Sequence, residues 1–311
     1  MSPLITVLMT TYNEEKNIFI QSLNSIINQT FKDFILLIIV DNPNNKEVVE
    51  IIKKYASKDN RIKYIINEEN IGLPLSLNKG IDLVETKYIA RMDADDIADR
   101  NRLEIQLEYA NRNQDVDLFG SNIIYMNYEG DILYKRNESP EEYKSIKKAI
   151  KYVNIFNHPT YFGKTEVFKK FKYRNLKYSQ DYDFICRLVE NGCKLQNMKD
   201  YLLNYRLPQN LSEEKVIIQK TTYYCIQKEY VRRKLSKVDI QERINNELKK
   251  VNKENALKAI KIYDTAFEYL RERKRVQAIT YLIKSCFLSK YQRRQVLNLV
   301  RYFFVRKLSR I

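Results

Sequence analysis

Strand-like and helix-like segments alternate through the first hundred residues, and this alternation restricts the fold more than any other feature of the chain. Ile5 to Tyr12 is a β-branched and apolar run that ends at Asn13, the pattern of a buried strand. Glu14 to Gln29 places Ile18, Leu23, Ile26 and Ile27 on one helical face, with acidic residues in its first turn. Phe34 to Val40 is apolar on both faces, as central parallel strands are. Val48, Val49, Ile52 and Tyr55 mark a second helix, Ile62 to Ile66 a third strand, and Gly72 to Val84 a third helix. Tyr88 to Arg91 is the next strand, and it delivers Met92-Asp93-Ala94-Asp95-Asp96. Such an order predicts an α/β fold with a mostly parallel, Rossmann-like sheet flanked by helices.

Ligands of open parallel sheets bind beyond the carboxyl ends of the strands. Tyr12-Asn13, Asp41 and Asp93 to Asp95 lie at three such ends, so polar groups distant in sequence are expected to meet in one crevice. Three carboxylates within four residues repel one another unless a cation, a helix N-terminus or water compensates them. Asp-x-Asp brings two of them close enough to share a hard divalent ion, Mg²⁺ or Mn²⁺, whose remaining positions are usually filled by substrate phosphates. The plain alternative is a solvated acidic turn before the helix expected at about residues 101–113, where Asp near a first turn contributes about 0.3–1 kcal/mol. No G-x-G-x-x-G or Walker A pattern follows the first strand, which disfavours Rossmann dehydrogenases and P-loop enzymes.

Farther along, Val116 to Phe119 reads as a strand, the segment 125–151 as mixed with a helix from Pro140, and His158 to Gly163 as a turn into a strand. A lone His beside Pro is more often a packing or hydrogen-bonding residue than a ligand. Asp181 stands at the start of an amphipathic helix with Phe184, Ile185, Leu188 and Val189 on its apolar face. It is suited either to N-capping or to general-base work at the mouth of a crevice. Asp183 is the rival base, expected to point away from that mouth.

Taken together, these residues resemble glycosyltransferase family 2, whose members have the nucleotide-sugar-binding GT-A fold. The matches are Val7 to Asn13, Asp41, Asn70-Ile71-Gly72 with Leu77-Asn78-Lys79-Gly80-Ile81, Asp93-Ala94-Asp95-Asp96 and Gln180-Asp181-Tyr182-Asp183, in the family's order over residues 4–206. The resemblance implies that Thr10, Tyr12 and Asp41 line a nucleobase pocket, with Asp41 accepting from the uracil imide. Asn78 and Arg91 would lie beside the nucleoside and phosphates. Asp93 would face the ribose or the metal's waters, Asp95 would bind Mn²⁺ or Mg²⁺ directly, and Asp181 would be the base. The implied reaction is inverting transfer from a UDP-sugar to a glycan or lipid-linked acceptor in surface polysaccharide synthesis. Two departures stand out: Asp41 is followed by Asn42-Pro43-Asn44 rather than Asp and Gly-Ser, and Gln180 precedes the base where Glu is common. Sugar choice is expected from loops at Ser121–Lys135 and His158–Lys164. The rival readings are a sugar nucleotidyltransferase, which would be expected to carry a glycine-rich basic loop in place of Thr10 to Asn13, and a non-catalytic adaptor.

Charge divides the chain. Of a formal net +16, residues 213–311 carry +15, with 25 Lys and Arg against 10 Asp and Glu. This predicts a catalytic domain over 1–212 and an all-α basic region over 213–311. In that region Ala256, Ile260, Tyr263, Phe267 and Leu270 recur at helical spacing, as do Val276, Ile279, Leu282 and Cys286, and a break near Arg273 predicts an antiparallel pair. Residues 293–310 interleave Val296, Leu297, Val300, Phe303, Phe304 and Leu308 with Arg293, Arg294, Arg301, Arg306, Lys307 and Arg310. That composition suits an anionic membrane surface; a helix packed on the catalytic domain with a solvated basic face is the alternative, and the helices are equally suited to forming a homodimer. No nucleic-acid motif accompanies the charge. No apolar run approaches the roughly 18–20 residues that span a bilayer, and residues 2–12 read as a strand without the basic flank of a signal peptide. The four Cys lack metal-ligand spacing, so a zinc site is not expected and a reducing setting fits. The expected location is cytoplasmic, peripheral on the inner face of the cell membrane.

Overall fold

The computed structural model describes residues 3–136, 140–209 and 212–308. Arg310, counted above among the tail's cations, lies outside the described residues. The chain forms two compact units, Met1–Ile146 with Ile155–Gln209, and Lys147–Asn154 with Asn210–Ile311.

In the first unit the alternation folds as expected: β1 (Ile5–Thr11), α1 (Lys16–Ile27), β2 (Phe34–Val40), α2 (Lys46–Ala56), β3 (Ile62–Ile66), α3 (Leu73–Leu83) and β4 (Tyr88–Asp93). The four strands are parallel, in the order β3-β2-β1-β4. All seven residues of β1 are buried, because helices cover both faces. Phe19, Leu23 and Ile26 of α1 and Val48 and Ile52 of α2 close one face, each full burial contributing about 1.5–3 kcal/mol. α3 closes the other, and Gly80 lets it: a Cβ there would lie 2.4 Å from Leu8 Cδ1. One local expectation fails. No acidic residue lies in the first turn of α1; Glu14 turns back onto the end of β1 instead.

Beyond β4 the sheet becomes mixed. The chain continues through β5 (Ile97–Ala98), α4 (Arg102–Arg112), β6 (Leu118–Met126), β7 (Ile132–Arg136), α5 (Tyr143–Ala149), β8 (Phe162–Lys164), α6 (Thr165–Phe171), α7 (Gln180–Glu190) and β9 (Leu195–Arg206). The order runs on as β4-β8-β6-β9-β5 with β7 on β6. β8 is antiparallel to β4 and β6, whereas β9 is parallel to β6. Ser121–Lys135 is therefore not a loop: it is mostly the β6–β7 hairpin, with only residues 127–131 between the strands.

The second unit is helical: α8 (Glu213–Val231), α9 (Ile240–Leu248), α10 (Lys253–Arg271), α11 (Arg275–Leu288) and α12 (Lys290–Leu308). Its starts are written in sequence, for Ser212, Asp239 and Asn252 accept from the backbone N–H of Lys215, Glu242 and Asn255. Arg273, at φ 61°, breaks the chain between α10 and α11, and Tyr269 meets Tyr281 across the pair with ring centroids 5.2 Å apart. The inward faces use small residues. Ala259, Ala266, Ala278 and Ser285 are fully buried and allow close approach, while Phe267, Leu270, Val276 and Ile279 are exposed. Among the described residues no helix is long and apolar enough to cross a membrane.

Candidate active site

Parallel register brings the polar strand ends together. Thr10 is paired with Asp93 and Thr11 with Val40, so the segments after β1, β2 and β4 leave the sheet side by side. Thr10 is buried, and Tyr12 is exposed at the rim. Glu14 Oε2 accepts from Thr11 Oγ1 (2.5 Å) and from the Tyr12 N–H (2.7 Å), which fixes the end of β1. Burial outweighs those bonds and raises the Glu14 carboxyl above its ordinary value.

Asp41 is buried and works as a hub. Its Oδ1 accepts from Asn67 Nδ2 (2.8 Å), Ser76 Oγ (2.8 Å) and the Ile71 N–H (3.0 Å), and its Oδ2 from the Gly72 N–H (2.9 Å). Only Oδ2 retains an open acceptor direction. Asp41 thus holds the segment 67–76 in place. Removing the carboxylate in Asp41→Ala takes the acceptor from the Ile71 N–H and from the buried side chains of Asn67 and Ser76, while the Gly72 N–H keeps Asn70 Oδ1, at a cost of about 3 kcal/mol or more. The expected result is a melting temperature lower by about 6–12 °C, and an unchanged melting curve would show that the hub is dispensable.

The acidic turn is held from several sides. Carboxylate oxygens of Asp93, Asp95 and Asp96 all lie within 4.8 Å of one another. Asp93 is paired with Arg91, and its carbonyl accepts from Ser22 Oγ (3.0 Å). Arg206, at the end of β9, does most of the rest. Its N–H donates to Asp96 Oδ1 (2.8 Å), its Nε to the Asp95 carbonyl (2.8 Å), its Nη2 to Gln21 Oε1 (2.9 Å) and its Nη1 to the Tyr128 carbonyl. β5, antiparallel to β9, anchors the chain just past the turn. Burial, with the charges of Asp93 and Glu14 added, pushes the Asp95 carboxyl up to about 7. Burial and the neighbouring Asp95 and Asp93 push Asp96 well above the carboxylate range. Asp96 Oδ2 is buried and has no hydrogen-bond partner.

These observations fit a hard divalent cation: the donors are all carboxylate oxygens, mutually close, strained by their own charge, and one is orphaned. Arg91 supplies the matching positive end. It is 1% exposed, and its Nε and Nη1 have no hydrogen-bond partner. Its carbonyl accepts from Arg102 Nη2 (2.6 Å), a guanidinium so buried that its pKa drops to about 9.

Tyr173 links the remaining groups. Its hydroxyl is 2.9 Å from His158 Nε2, and its ring stacks on Phe184. Burial, with Arg91 nearby, holds His158 well below its ordinary pKa and keeps it neutral. His158 is therefore a hydrogen-bonding residue, not a member of the carboxylate cluster. The Tyr173 phenol lies within electrostatic reach of Arg91, Asp181 and Asp93, which ties the acidic turn to the start of α7. Asn78 is tied to the Tyr173 backbone. Its Nδ2 donates to the Tyr173 carbonyl and its Oδ1 accepts from the Tyr173 N–H, both at 2.8 Å. Asn78 thus positions Tyr173.

Asp181 and Asp183 separate as helix geometry requires, two residues apart on nearly opposite sides. Asp183 is fully buried, paired with Arg187 Nε at 2.7 Å and Arg174 Nη1 at 3.5 Å. Asp181 is the half-buried one, in the first turn of α7, where the macrodipole favours a carboxylate. It does not serve as the cap, a position held by Ser179.

A sheet parallel at one edge and mixed at the other, with an Asp-x-Asp turn at the change of direction, is the GT-A glycosyltransferase fold. Residues 6–173 match glycosyl transferase family 2, and the chain belongs to that family. It is 44% identical over 207 residues to an uncharacterised glycosyltransferase of Methanocaldococcus jannaschii, covering 66% of this chain and 71% of that one. It is 35% identical over 209 residues to the O-antigen biosynthesis glycosyltransferase WbnJ of Escherichia coli, covering 66% and 80%. S. aureus TarS 1–349, solved in complex with UDP-GlcNAc, superposes with a TM-score of 0.58 over 98% of this chain and 91% of that one. At 18% identity, that likeness is one of fold.

Proposed function

We propose that the protein is an inverting, metal-dependent glycosyltransferase that moves a hexosyl or N-acetylhexosaminyl group from a UDP-sugar to a glycan or lipid-linked acceptor. The observation that carries this reading is the gathering of the acidic turn, Arg91 and Asp181 around Tyr173 at the carboxyl ends of the strands. Thr10 and Tyr12 flank the base, and the open direction on Asp41 Oδ2 accepts the uracil imide N–H. Arg91 offers Nε and Nη1 to the diphosphate. Asp95, with Asp93 and its waters, would hold Mn²⁺ or Mg²⁺, which supplies Lewis-acid stabilisation of the departing diphosphate. Asp181 takes the proton of the acceptor hydroxyl as that oxygen attacks the anomeric carbon. The C–O bond to the diphosphate breaks and its electron pair leaves with UDP, so an α-linked donor yields a β-glycoside. WbnJ's assignment to O-antigen biosynthesis supports a surface-polysaccharide acceptor, and the UDP-GlcNAc in TarS supports the donor class. Such an enzyme would work in the cytoplasm, at the inner face of the membrane that presents the acceptor.

The test is thermal stabilisation by UDP, GDP, CDP and dTDP, each with and without Mn²⁺. A ligand at 100 times its dissociation constant stabilises by about 2.7 kcal/mol, or about 5–10 °C in a unit of this size. The expected result is a shift with UDP that requires Mn²⁺. No shift with any nucleotide would overturn the reading and favour a non-catalytic adaptor.

A further inference from the structure

α12 is built inside out. Its inward side is largely polar: Gln292 and Asn298 are buried beside Tyr302, and amides from this side hold the helix in place. Gln227 Oε1 accepts from Asn298 Nδ2 and from Arg294 Nε, both at 2.7 Å, and Gln295 Oε1 accepts from Lys220 Nζ at 3.0 Å. Its outward side carries Leu297, Val300 and Phe304, separated by three and four residues, with Phe303 beside them and Arg293 and Arg301 among them. In water a helix ordinarily turns its apolar stripe inward. Here Phe303 is 72% and Phe304 64% exposed.

α11 repeats the arrangement. Ala278 and Ser285, seven residues apart, are its buried positions, and Val276, Ile279, Ile283 and Phe287 recur at helical spacing on the opposite side. Phe287 is 80% exposed. Arg275 and Lys284 flank this stripe and are exposed. From residue 273 to 311 the sequence holds eleven Lys and Arg and no Asp or Glu. Two consecutive helices thus each present large apolar side chains to the outside within a segment that carries charge of one sign only.

We infer that the outward faces of α11 and α12 dock onto an anionic lipid bilayer surface, with the apolar stripes entering the acyl boundary and the flanking cations meeting the headgroups. Both features are used by interfacial helices, which combine apolar burial with attraction to anionic lipid. A second copy of the chain would bring the same unbalanced cations face to face, which charge opposes. Nucleic acid would engage the cations but not the aliphatic side chains of Val276, Ile279, Ile283 and Leu297. The inference does not depend on the donor or on the sugar-transfer chemistry.

The test is co-sedimentation of the full chain with vesicles of phosphatidylglycerol and phosphatidylcholine, and with vesicles of phosphatidylcholine alone. Two variants accompany the parent: Phe287→Gln with Phe303→Gln and Phe304→Gln, and Val276→Gln with Ile283→Gln. All five side chains already face outward, so both variants are expected to keep the parent's melting temperature and its nucleotide response. The expected result is binding to the anionic vesicles only, weakened by high salt, with a partition coefficient about tenfold lower or less in each variant. Absence of binding by the parent, equal binding to neutral vesicles, or variants that bind like the parent would each overturn the inference. Concentration-dependent self-association abolished by the variants, without vesicle binding, would assign the face to a second copy instead.

Discussion

Replacement of Asp95 with Asn is expected to lower turnover by about 10³-fold or more while leaving the fold intact. The Lewis-acid help of a bound metal is worth several kcal/mol, and each 1.36 kcal/mol is a factor of about ten in rate. The same substitution removes the Mn²⁺ requirement together with the nucleotide-induced rise in melting temperature. Its effect without metal runs the other way and depends on pH. Asp95 titrates at about 7 in the folded chain, because burial and the carboxylates of Asp93 and Glu14 disfavour its charge, and near ~3.9 when unfolded. Between those values the folded state binds the extra proton, so this group's contribution to stability is greatest below pH ~4 and is lost as pH rises through about 7. Asn carries no charge to lose. Metal-free Asp95→Asn should therefore melt above the parent by a margin that grows from pH 5 to pH 8, and with UDP and Mn²⁺ the order should reverse. A variant that melts below the parent at pH 8 without metal would show that the carboxylate is stabilised by groups other than a cation.

Asp181→Asn is the second large effect. General-base catalysis contributes typically about 10²–10⁴-fold, and turnover should fall by that amount while the response to UDP and Mn²⁺ stays as in the parent. The neighbouring carboxylate gives the contrast. Asp183→Asn breaks a buried pair with Arg187, which costs about 3–5 kcal/mol, so it should fail in stability before it fails in chemistry. Were Asp181→Asn to retain full activity, the proton would have to leave by another route and the assignment of the base would be lost.

The first four strands were legible because β1 and β2 are apolar runs buried on both faces, β3 and β4 are short and mostly apolar, and each ends in a polar turn. That same regularity placed Asp41, Asp93 and Asp95 at one end of the sheet. β9 was not legible. Leu195–Arg206 mixes Gln196, Asn197, Lys199, Asp200 and Asn204 into its apolar positions, and its pairing with β6 shifts register twice, so no two-residue period survives. With the strand went Arg206, whose role depends on partners 78 to 185 residues away. The structural role of Asn78 was hidden for a related reason. Its position was visible, but its partner, the Tyr173 backbone, is fixed only when α3 and the segment before α7 come together. In the helical region, periodicity found the stripes of α11 and α12 but could not tell which side other helices cover. Val276 and Ile279 face out.

The clamp that Arg206 places on the acidic turn has a kinetic consequence. Side-chain and backbone groups of this one arginine span Asp95, Asp96, Gln21 and Tyr128, and β5 secures the following residues. The backbone of the turn and the Asp96 carboxylate are therefore ordered when the chain folds, before any ion arrives. Arrival of the cation then involves no search among loop conformations. Its rate is set by how quickly the ion sheds its own hydration shell, so Mn²⁺ and Mg²⁺ should load at rates that differ as their water exchange differs, a ratio that stopped-flow measurement would read directly.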